Sequence, residues 1–539
     1  MAESKITTRN KLIVLTAVMA SLLEIIDTSI VNVAVPTMMG NLGATLDEIS
    51  WVITGYIIAN AVVLPIAGWM SEQIGRKTYY TGCILLFTAS SIACGLAPSL
   101  TTLVIFRVIQ GFAGGALLPT SQALIYESFP KEQAGMASAI YGMSVMIGPT
   151  IGPTLGGYLT DNFGWRSIFN INVPIGLAVA VLSYLLVEDV GYDPVAAKAN
   201  AESGKPAPVI RKVRAPIDTW GLAFLVTGIA SLQYVLERGH AEDWFDSKSI
   251  TFFLILGVGC IASLIWWELR TKHPILQLRH FKNAAFRSGV FLMFALGCML
   301  YGLIFVLPVF ANIITGLTAT QTGELFIPGA LCSAMMMPFI GQQLRKRDPR
   351  VLIFIGVMGL AGAVLLIGRF DAMTSVDGMF WPLMLRGVAM SFLFVPINTV
   401  VLTQFTGAAI GEAAGMLNLC RQLGGSICIA TLSSLMARFQ VQTASAMSNH
   451  LTKLDPAATR IQGALTSAFH TKFSSAIGLD TNSMASLRIL EGLTQKQAFV
   501  LGYQKVLWIA AGMFLILALT PLIFMKRPKT AMAGPIDAH

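Results

Sequence analysis

Long apolar blocks alternate with short polar segments along this chain. Each block is close to the roughly 20 residues that a helix needs to cross a bilayer. Fourteen such blocks occur, at 12–35, 49–70, 79–97, 100–121, 135–158, 165–187, 219–237, 249–267, 287–312, 322–343, 350–368, 380–404, 414–436 and 498–524. None alternates with a period of two, so the blocks predict helices and not the strands of a barrel. The first follows a basic start (Lys5, Arg9, Lys11), contains acids and is too long for a signal-peptide core, which predicts an uncleaved first span.

An even number of spans places both termini on one side. Lys and Arg crowd the loops of that side and are nearly absent from the short loops opposite, which predicts cytoplasmic termini. The same asymmetry accounts for the net charge of +9 without a nucleic-acid partner. Residues are 55% hydrophobic and 12% charged, about half the charge of an average soluble domain. The seven cysteines fall in apolar blocks without metal-ligand spacing, and the histidines do not cluster, so neither a disulfide framework nor metal catalysis is indicated.

The two ends of the chain echo each other. "GAT" at 43–45 and "GLT" at 316–318, "PIAG" at 65–68 and "PFIG" at 338–341, Arg107 and Arg386, and "EQAGM" at 132–136 and "EAAGM" at 412–416 recur in the same order at nearly the same spacing. The predicted fold is an all-α polytopic membrane protein of two six-helix bundles plus two inserted helices. The expected divisions are an N-terminal bundle at 1–187, a cytoplasmic linker at 188–218, the inserted pair at 219–267 and a C-terminal bundle at 268–539 with an extracytoplasmic segment at 437–497. Paired bundles with a site between them near the midplane are the architecture of secondary transporters.

Chemistry enters where polar residues break the apolar blocks. Glu24 and Asp27 lie three apart on one face of the first span. Arg107, in the fourth, lies at a similar depth below the opposite end of its helix. A static ion pair needs one acid; the second, without a cation of its own, is one that a proton can neutralise. These three residues are the proton-coupling candidates. Asn32, Asn60, Asn398, Asn418, Arg421 and Gln422 are candidates to line a substrate cavity, and Met335, Met336, Met337, Phe392 and Phe394 offer an adaptable apolar wall. Arg386 and Lys505, near span ends, are expected to reach toward the interface. Gly68, Glu72, Gly75, Arg76 and Lys77 form a charged latch after the second span. In the fifth, Gly148, Gly152 and Gly156 recur every four residues, interleaved with Pro149 and Pro153 and followed by Gly157, a pattern for close packing with a hinge.

These elements resemble the major facilitator superfamily. Gly68-xxx-Glu72-xx-Gly75-Arg76-Lys77 resembles its loop 2–3 signature, with Glu72 where Asp is usual and Gln73 where a basic residue is usual. Arg107-xx-Gln110-Gly111 resembles its span 4 signature, and the Gly148–Gly157 run its antiporter motif. "LEIIDTSIVNVAVP" and "WRSIFNINVPIG" are similar to the fourteen-span drug:proton antiporters of the EmrB/QacA type. The resemblance implies the major facilitator fold, alternating access, export of amphipathic toxic compounds against protons, no cofactor beyond the proton gradient and residence in the bacterial cytoplasmic (inner) membrane. In Gram-negative relatives it also implies a periplasmic adaptor and an outer-membrane channel. A dedicated exporter of a lipophilic acid, siderophore or metabolite, and a membrane sensor or scaffold without transport, are the alternatives. An enzyme is not indicated, for no nucleophile–base or metal constellation is present.

Overall fold

The computed structural model describes residues 7–188, 218–271, 274–450 and 479–524. Its principal helices are α1 (Thr8–Leu42), α2 (Trp51–Val63), α3 (Ala67–Ile74), α4 (Arg76–Leu96), α5 (Leu100–Glu127), α6 (Ala134–Phe163), α7 (Asn172–Leu186), α8 (Thr219–Arg238), α9 (Lys248–Glu268), α10 (Ala284–Phe310), α11 (Ala319–Gln343), α12 (Pro349–Ile367), α13 (Val376–Leu402), α14 (Ala408–His450) and α15 (Leu479–Phe524). The described residues contain no strand.

Helix starts carry their own polar partners, as backbone N–H groups in an apolar setting require. The Ser99 and Thr318 side chains close capping boxes at the starts of α5 and α11, and Asp348 caps α12 with Pro349 in its first turn. Among the described residues, twelve helices are long and apolar enough to cross a membrane, and thirteen when α2 and α3 are taken as one span broken by a 63° bend. The chain is therefore a multi-pass membrane protein. The expected span at 414–436 falls within α14, which fails that criterion because Asn418, Arg421, Gln422 and Ser426 interrupt it.

Call the bilayer face at which α1 begins the near face, and the opposite one the far face. α1, α2 and α4–α7 pack around one another, and α10–α15 form a second group. α8 and α9 pair with each other, and α8 also lies against α2 and α14. Between the groups, α6 runs along α11, while α3 and α5 meet α14. The repeat becomes physical here. Gly135 of "EQAGM" meets Gly341 of "PFIG", and Gly415 of "EAAGM" meets the Leu64–Pro65 backbone just before Gly68 of "PIAG". Each half's first glycine motif thus receives the other half's second, as two repeats related by an axis along the membrane normal require.

α14 and α15 have 43 and 46 residues. At about 1.5 Å per residue each exceeds 60 Å, about twice the hydrocarbon core. Both continue beyond the far face, so 437–450 and 479–497 of the expected loop are helical. Residues 451–478, and nearly all of the linker at 188–218, lie outside the described residues.

Candidate functional site

Asp27 is fully buried on α1, and every group around its carboxylate donates to it. Arg107 Nη1 of α5 donates to Oδ2 at 2.6 Å; Gln110 Nε2, one turn along α5, and Asn172 Nδ2 of α7 donate to Oδ1 at 3.0 and 2.7 Å. Arg107 has further partners. It also donates to Gln110 Oε1 at 2.8 Å and from Nε to the Val52 carbonyl at 3.2 Å, and its guanidinium stands 4.1 Å from the Tyr56 ring centroid. Such a buried pair is held because Gln110, Asn172 and the Val52 carbonyl add hydrogen bonds to its members.

Glu24, one turn nearer the near face, is buried but does not bond Arg107. Its Oε1 accepts from Asn60 Nδ2 at 3.0 Å and from Tyr56 Oη at 3.4 Å, both on α2. The cation whose charge reaches it is Arg421 of α14, across the interface between the halves. The two acids therefore do not share one Arg: Asp27 takes Arg107, and Glu24 faces the C-terminal half.

Most of the cavity candidates converge beside Glu24. Gln122 of α5 donates to Asn398 Oδ1 of α13 at 2.7 Å and accepts from Asn418 Nδ2 of α14 at 2.8 Å. Asn418 Oδ1 accepts from Tyr141 Oη of α6 at 3.0 Å and from Arg421 Nη2 at 2.9 Å, and Arg421 Nη1 donates to Tyr301 Oη of α10 at 3.1 Å. Gln422 donates to the Ile57 carbonyl at 3.3 Å. This network ties α5, α6, α10, α13 and α14 together and places a guanidinium within it. Asn32 lies exposed on α1, outside the network. Of the proposed apolar wall, Met337 and Phe394 are buried against Gly142 of α6, whereas Met335 is 77% exposed.

The antiporter-like run packs on the acid-bearing helix. α6 is unbroken through Pro149 and Pro153. A Cβ on Gly148 would lie 2.9 Å from Ile25 Cβ, one on Gly152 2.8 Å from Ser29 Cβ, and one on Gly156 2.8 Å from the Ile30 carbonyl oxygen. Gly157 is buried on the same helix. The glycines thus bring α6 against α1 at the residues flanking Glu24 and Asp27.

At the near face Gly75, with φ 101°, turns the chain between α3 and α4. Arg76 is buried and bidentate on Glu127, with Nη2 to Oε1 at 2.9 Å. Lys77 Nζ stands 4.3 Å from the Tyr184 ring centroid. Gly68 abuts the first turn of α14, where a Cβ would lie 2.5 Å from the Glu412 nitrogen. Glu72 is exposed on α3 beside that contact, close enough to Glu412 for the two charges to interact.

Arg386 does not reach out as expected. It is buried, donates to the Leu300 carbonyl at 3.4 Å and stands 5.5 Å from the Phe326 ring centroid, because α13 buries its whole inward face. Among the described residues no acid pairs with it, so the second half lacks a counterpart of Asp27. Lys505 is exposed, with Nζ 6.0 Å from the Phe439 centroid. Sequence reasoning did not single out Asn172, Gln122, Tyr56, Tyr141 or Tyr301. Asn172 and Gln122 carry a signal, being amides inside apolar blocks; the tyrosines are found only from their contacts. Among the described residues no group of three or more His, Cys, Asp or Glu side chains could hold a metal.

Two helical groups around a buried, hydrogen-bonded ion pair, with a polar network between them, define a membrane transporter of paired-bundle architecture. Residues 17–238 and 241–428 match the Major Facilitator Superfamily, and the chain belongs to that family. It is 32% identical to the multidrug export protein EmrB of Escherichia coli K12, over 97% of this chain and 96% of that protein. It is 30% identical to the fatty acid resistance protein FarB of Neisseria gonorrhoeae, over 96% of each. Among solved structures, the proton:xylose symporter XylE aligns with a TM-score of 0.59 at 15% identity over 97% of each chain. The human organic anion transporter MFSD10 aligns with 0.57 at 12% identity, over 96% of this chain and 99% of that one. At these identities the structures speak for the fold alone. Family membership implies a transporter without a cofactor, not an enzyme.

Proposed function

We propose that this protein is a proton-coupled multidrug efflux antiporter that exports amphipathic toxic compounds by alternating access. The observation that carries the reading is the division of labour between the two buried acids. Asp27 is compensated by Arg107, Gln110 and Asn172, while Glu24 has no ion pair among the described residues and feels the charge of Arg421 from the other half. A charged group in the membrane interior is costly, so its place is a functional one by default. Asp27 is the proposed proton carrier: protonation removes its charge and releases Arg107, and the glycine face of α6 on α1 transmits the change. Glu24 tunes that exchange or meets substrate. The relatives named for multidrug export support the substrate class. The bacterial relatives support residence in the bacterial cytoplasmic membrane, and the basic near-face loops support cytoplasmic termini.

A second reading, export of a lipophilic acid, is favoured by Arg421 at the interface and by the relative named for fatty acid resistance. The far-face extensions of α14 and α15 are the proposed docking surface for a periplasmic adaptor that leads to an outer-membrane channel. Pull-down of such an adaptor by the protein with and without residues 437–497 tests that partner.

The test of the main reading uses purified protein in proteoliposomes with an imposed proton gradient and a panel of hydrophobic cations and amphiphilic weak acids. Asp27→Asn is expected to abolish substrate-driven proton movement in a protein that still folds. Coupled transport by both Asp27→Asn and Glu24→Gln would overturn the assignment.

A further inference from the structure

The inserted helix α8 is fastened to both halves of the molecule near the far face. Along its length Leu225 and Ile229 join Ala61 and Val62 of α2 and Leu419 of α14 in one apolar cluster. At its last turn Arg238 Nη1 donates to Ser50 Oγ at 2.7 Å and to the Asp47 carbonyl at 3.3 Å, with the guanidinium 5.6 Å from the Trp51 ring centroid. These bonds hold the N-terminal half. Toward the C-terminal half, Gln233 Nε2 donates to Ser426 Oγ of α14 at 2.7 Å and to Glu237 Oε1 at 3.1 Å, and Ser426 Oγ donates to Glu237 Oε1 at 3.3 Å. Beyond the helix, Trp244 Nε1 donates to Ser434 Oγ at 3.0 Å.

This triangle has two peculiarities. First, among the described residues no cation pairs with Glu237. Arg238 is turned to Ser50 and to Glu242, 3.6 Å away, and Arg421 of α14 is committed to Asn418 and Tyr301. Asp47 and Glu48 before α2, Lys248 at the start of α9 and Arg438 of α14 are exposed, and Glu268 and Glu412 lie at the opposite, near-face ends of α9 and α14. Second, Gln233 is 0% exposed, and its Oε1 is buried with no hydrogen-bond partner. A carboxylate accepts only and cannot satisfy that oxygen; a carboxylic acid has an O–H to donate. The cluster is thus one hydrogen short, beside an acid without a counter-charge.

We propose that Glu237, Gln233 and Ser426 form a second proton-binding site, separate from Asp27, that latches the inserted helix to α14. A proton from the far-face solution converts the Glu237 carboxylate to the acid, whose hydroxyl donates to Gln233 Oε1. The acid is a weaker acceptor for Ser426, so the tie to α14 loosens while Arg238 keeps its hold on the N-terminal half. Movement of one half against the other must break one set of bonds, and this is the set a proton can weaken, leaving Gln233 and Trp244 as its neutral ties to Ser426 and Ser434. The latch rests on the alternating-access reading above; the proton site does not.

Infrared difference spectra of the full chain in lipid nanodiscs, titrated with pH, test the site without a substrate. Glu237→Gln is expected to remove one titrating carboxylic-acid carbonyl band that Asp27→Asn leaves in place. Ser426→Ala is expected to keep that band at a displaced frequency. An unchanged spectrum in Glu237→Gln, or an undisplaced band in Ser426→Ala, overturns the site. Spin labels at Phe245 and Val441, both about 70% exposed, report the latch. Their separation is expected to change with pH in the parent protein and not in Glu237→Gln; a pH-independent separation in the parent overturns the latch. Loss of coupled transport in Asp27→Asn bears on the main reading and alters none of these results.

Discussion

Gly135 of α6 and Gly341 of α11 meet at the near face so closely that a Cβ on either would lie 2.5 or 2.6 Å from the other's carbonyl oxygen. Just inside this contact Ser138 Oγ and Thr399 Oγ1 are 2.6 Å apart, and Gly68 meets the start of α14 on the other side of the interface. The near face is therefore closed by backbone touching backbone, which a side chain forbids. Gly341→Val is expected to hold this face apart. In a background without native thiols, a single cysteine at Ser138, fully buried here, should become reactive to a maleimide from the near face, and transport should fall by about tenfold or more. Unchanged labelling would mean that the closed face tolerates the bulk.

The Asp27–Arg107 pair carries a stability prediction as well as a functional one. Removing one partner of a buried pair leaves an uncompensated charge, at a cost of about 3–5 kcal/mol. Arg107→Ala should therefore lower the thermal unfolding temperature in detergent markedly. Asp27→Asn combined with Arg107→Gln, which removes both charges and keeps amide hydrogen bonding, should recover most of that loss without recovering transport. Arg107→Lys should fail as a replacement, because one ammonium cannot reach Asp27, Gln110 and the Val52 carbonyl while stacking on Tyr56.

The glycine face of α6 predicts a different defect. Gly152 lies against Ser29, between the turns that carry Asp27 and Ile30. Gly152→Val must push α6 from α1, at an overpacking cost of about 1–3 kcal/mol. The protein should still fold but lose coupling. Proteoliposomes should show proton movement without matching substrate movement, or neither, whereas Gly40→Val, which meets nothing within 4 Å, should leave coupling intact.

How far the sequence foretold this site follows from where each signal lies. Asp27 and Arg107 stand out because ionised residues are rare in apolar blocks, and counting from the block ends gives their depth. That Glu24 turns from Arg107 depends on Tyr56 and Asn60 approaching from α2, which no spacing along α1 encodes. The glycine period of α6 is visible in the chain, but its partner, the Ile25–Ile30 surface of α1, is a tertiary fact. Glu237 went unnoticed for a simpler reason: an acid beside Arg238 at the end of a block looks like an interfacial anchor, and only the packing of α8 on α14 gives it Ser426.

The connection between α8 and α9 supplies a pH prediction outside the membrane spans. Glu242 accepts from Ser249 Oγ at 2.7 Å, Tyr234 Oη at 2.9 Å and Ser247 Oγ at 3.1 Å, with Arg238 at 3.6 Å. The Ser249 bond foremost, then those from Tyr234 and Ser247 and the charge of Arg238, hold its carboxyl below the ordinary carboxylate range. A depressed folded-state value means that the contribution is complete above the unfolded value and is lost as pH falls through the folded one. Hydrogen exchange at 239–249 should stay slow through neutral and mildly acidic pH and quicken only below the usual carboxylate range. Glu242→Gln should show the faster exchange at every pH.

Arg421 decides between the two substrate classes. Its guanidinium is buried in the interface, bonded to Asn418 and Tyr301, and its charge reaches Glu24. Among the described residues neither Glu24 nor Arg421 forms an ion pair, so an anionic amphiphile would supply the counter-charge of Arg421, and a cationic one that of Glu24. A like-charged group at either position costs several kcal/mol in a dry site. Arg421→Gln should therefore lose transport of amphiphilic weak acids while keeping that of hydrophobic cations, and Glu24→Gln should do the reverse. Paired uptake measurements on one weak acid and one permanent cation check both. Equal loss of the two substrates in both variants would show that the pair serves the bundle interface and not substrate choice.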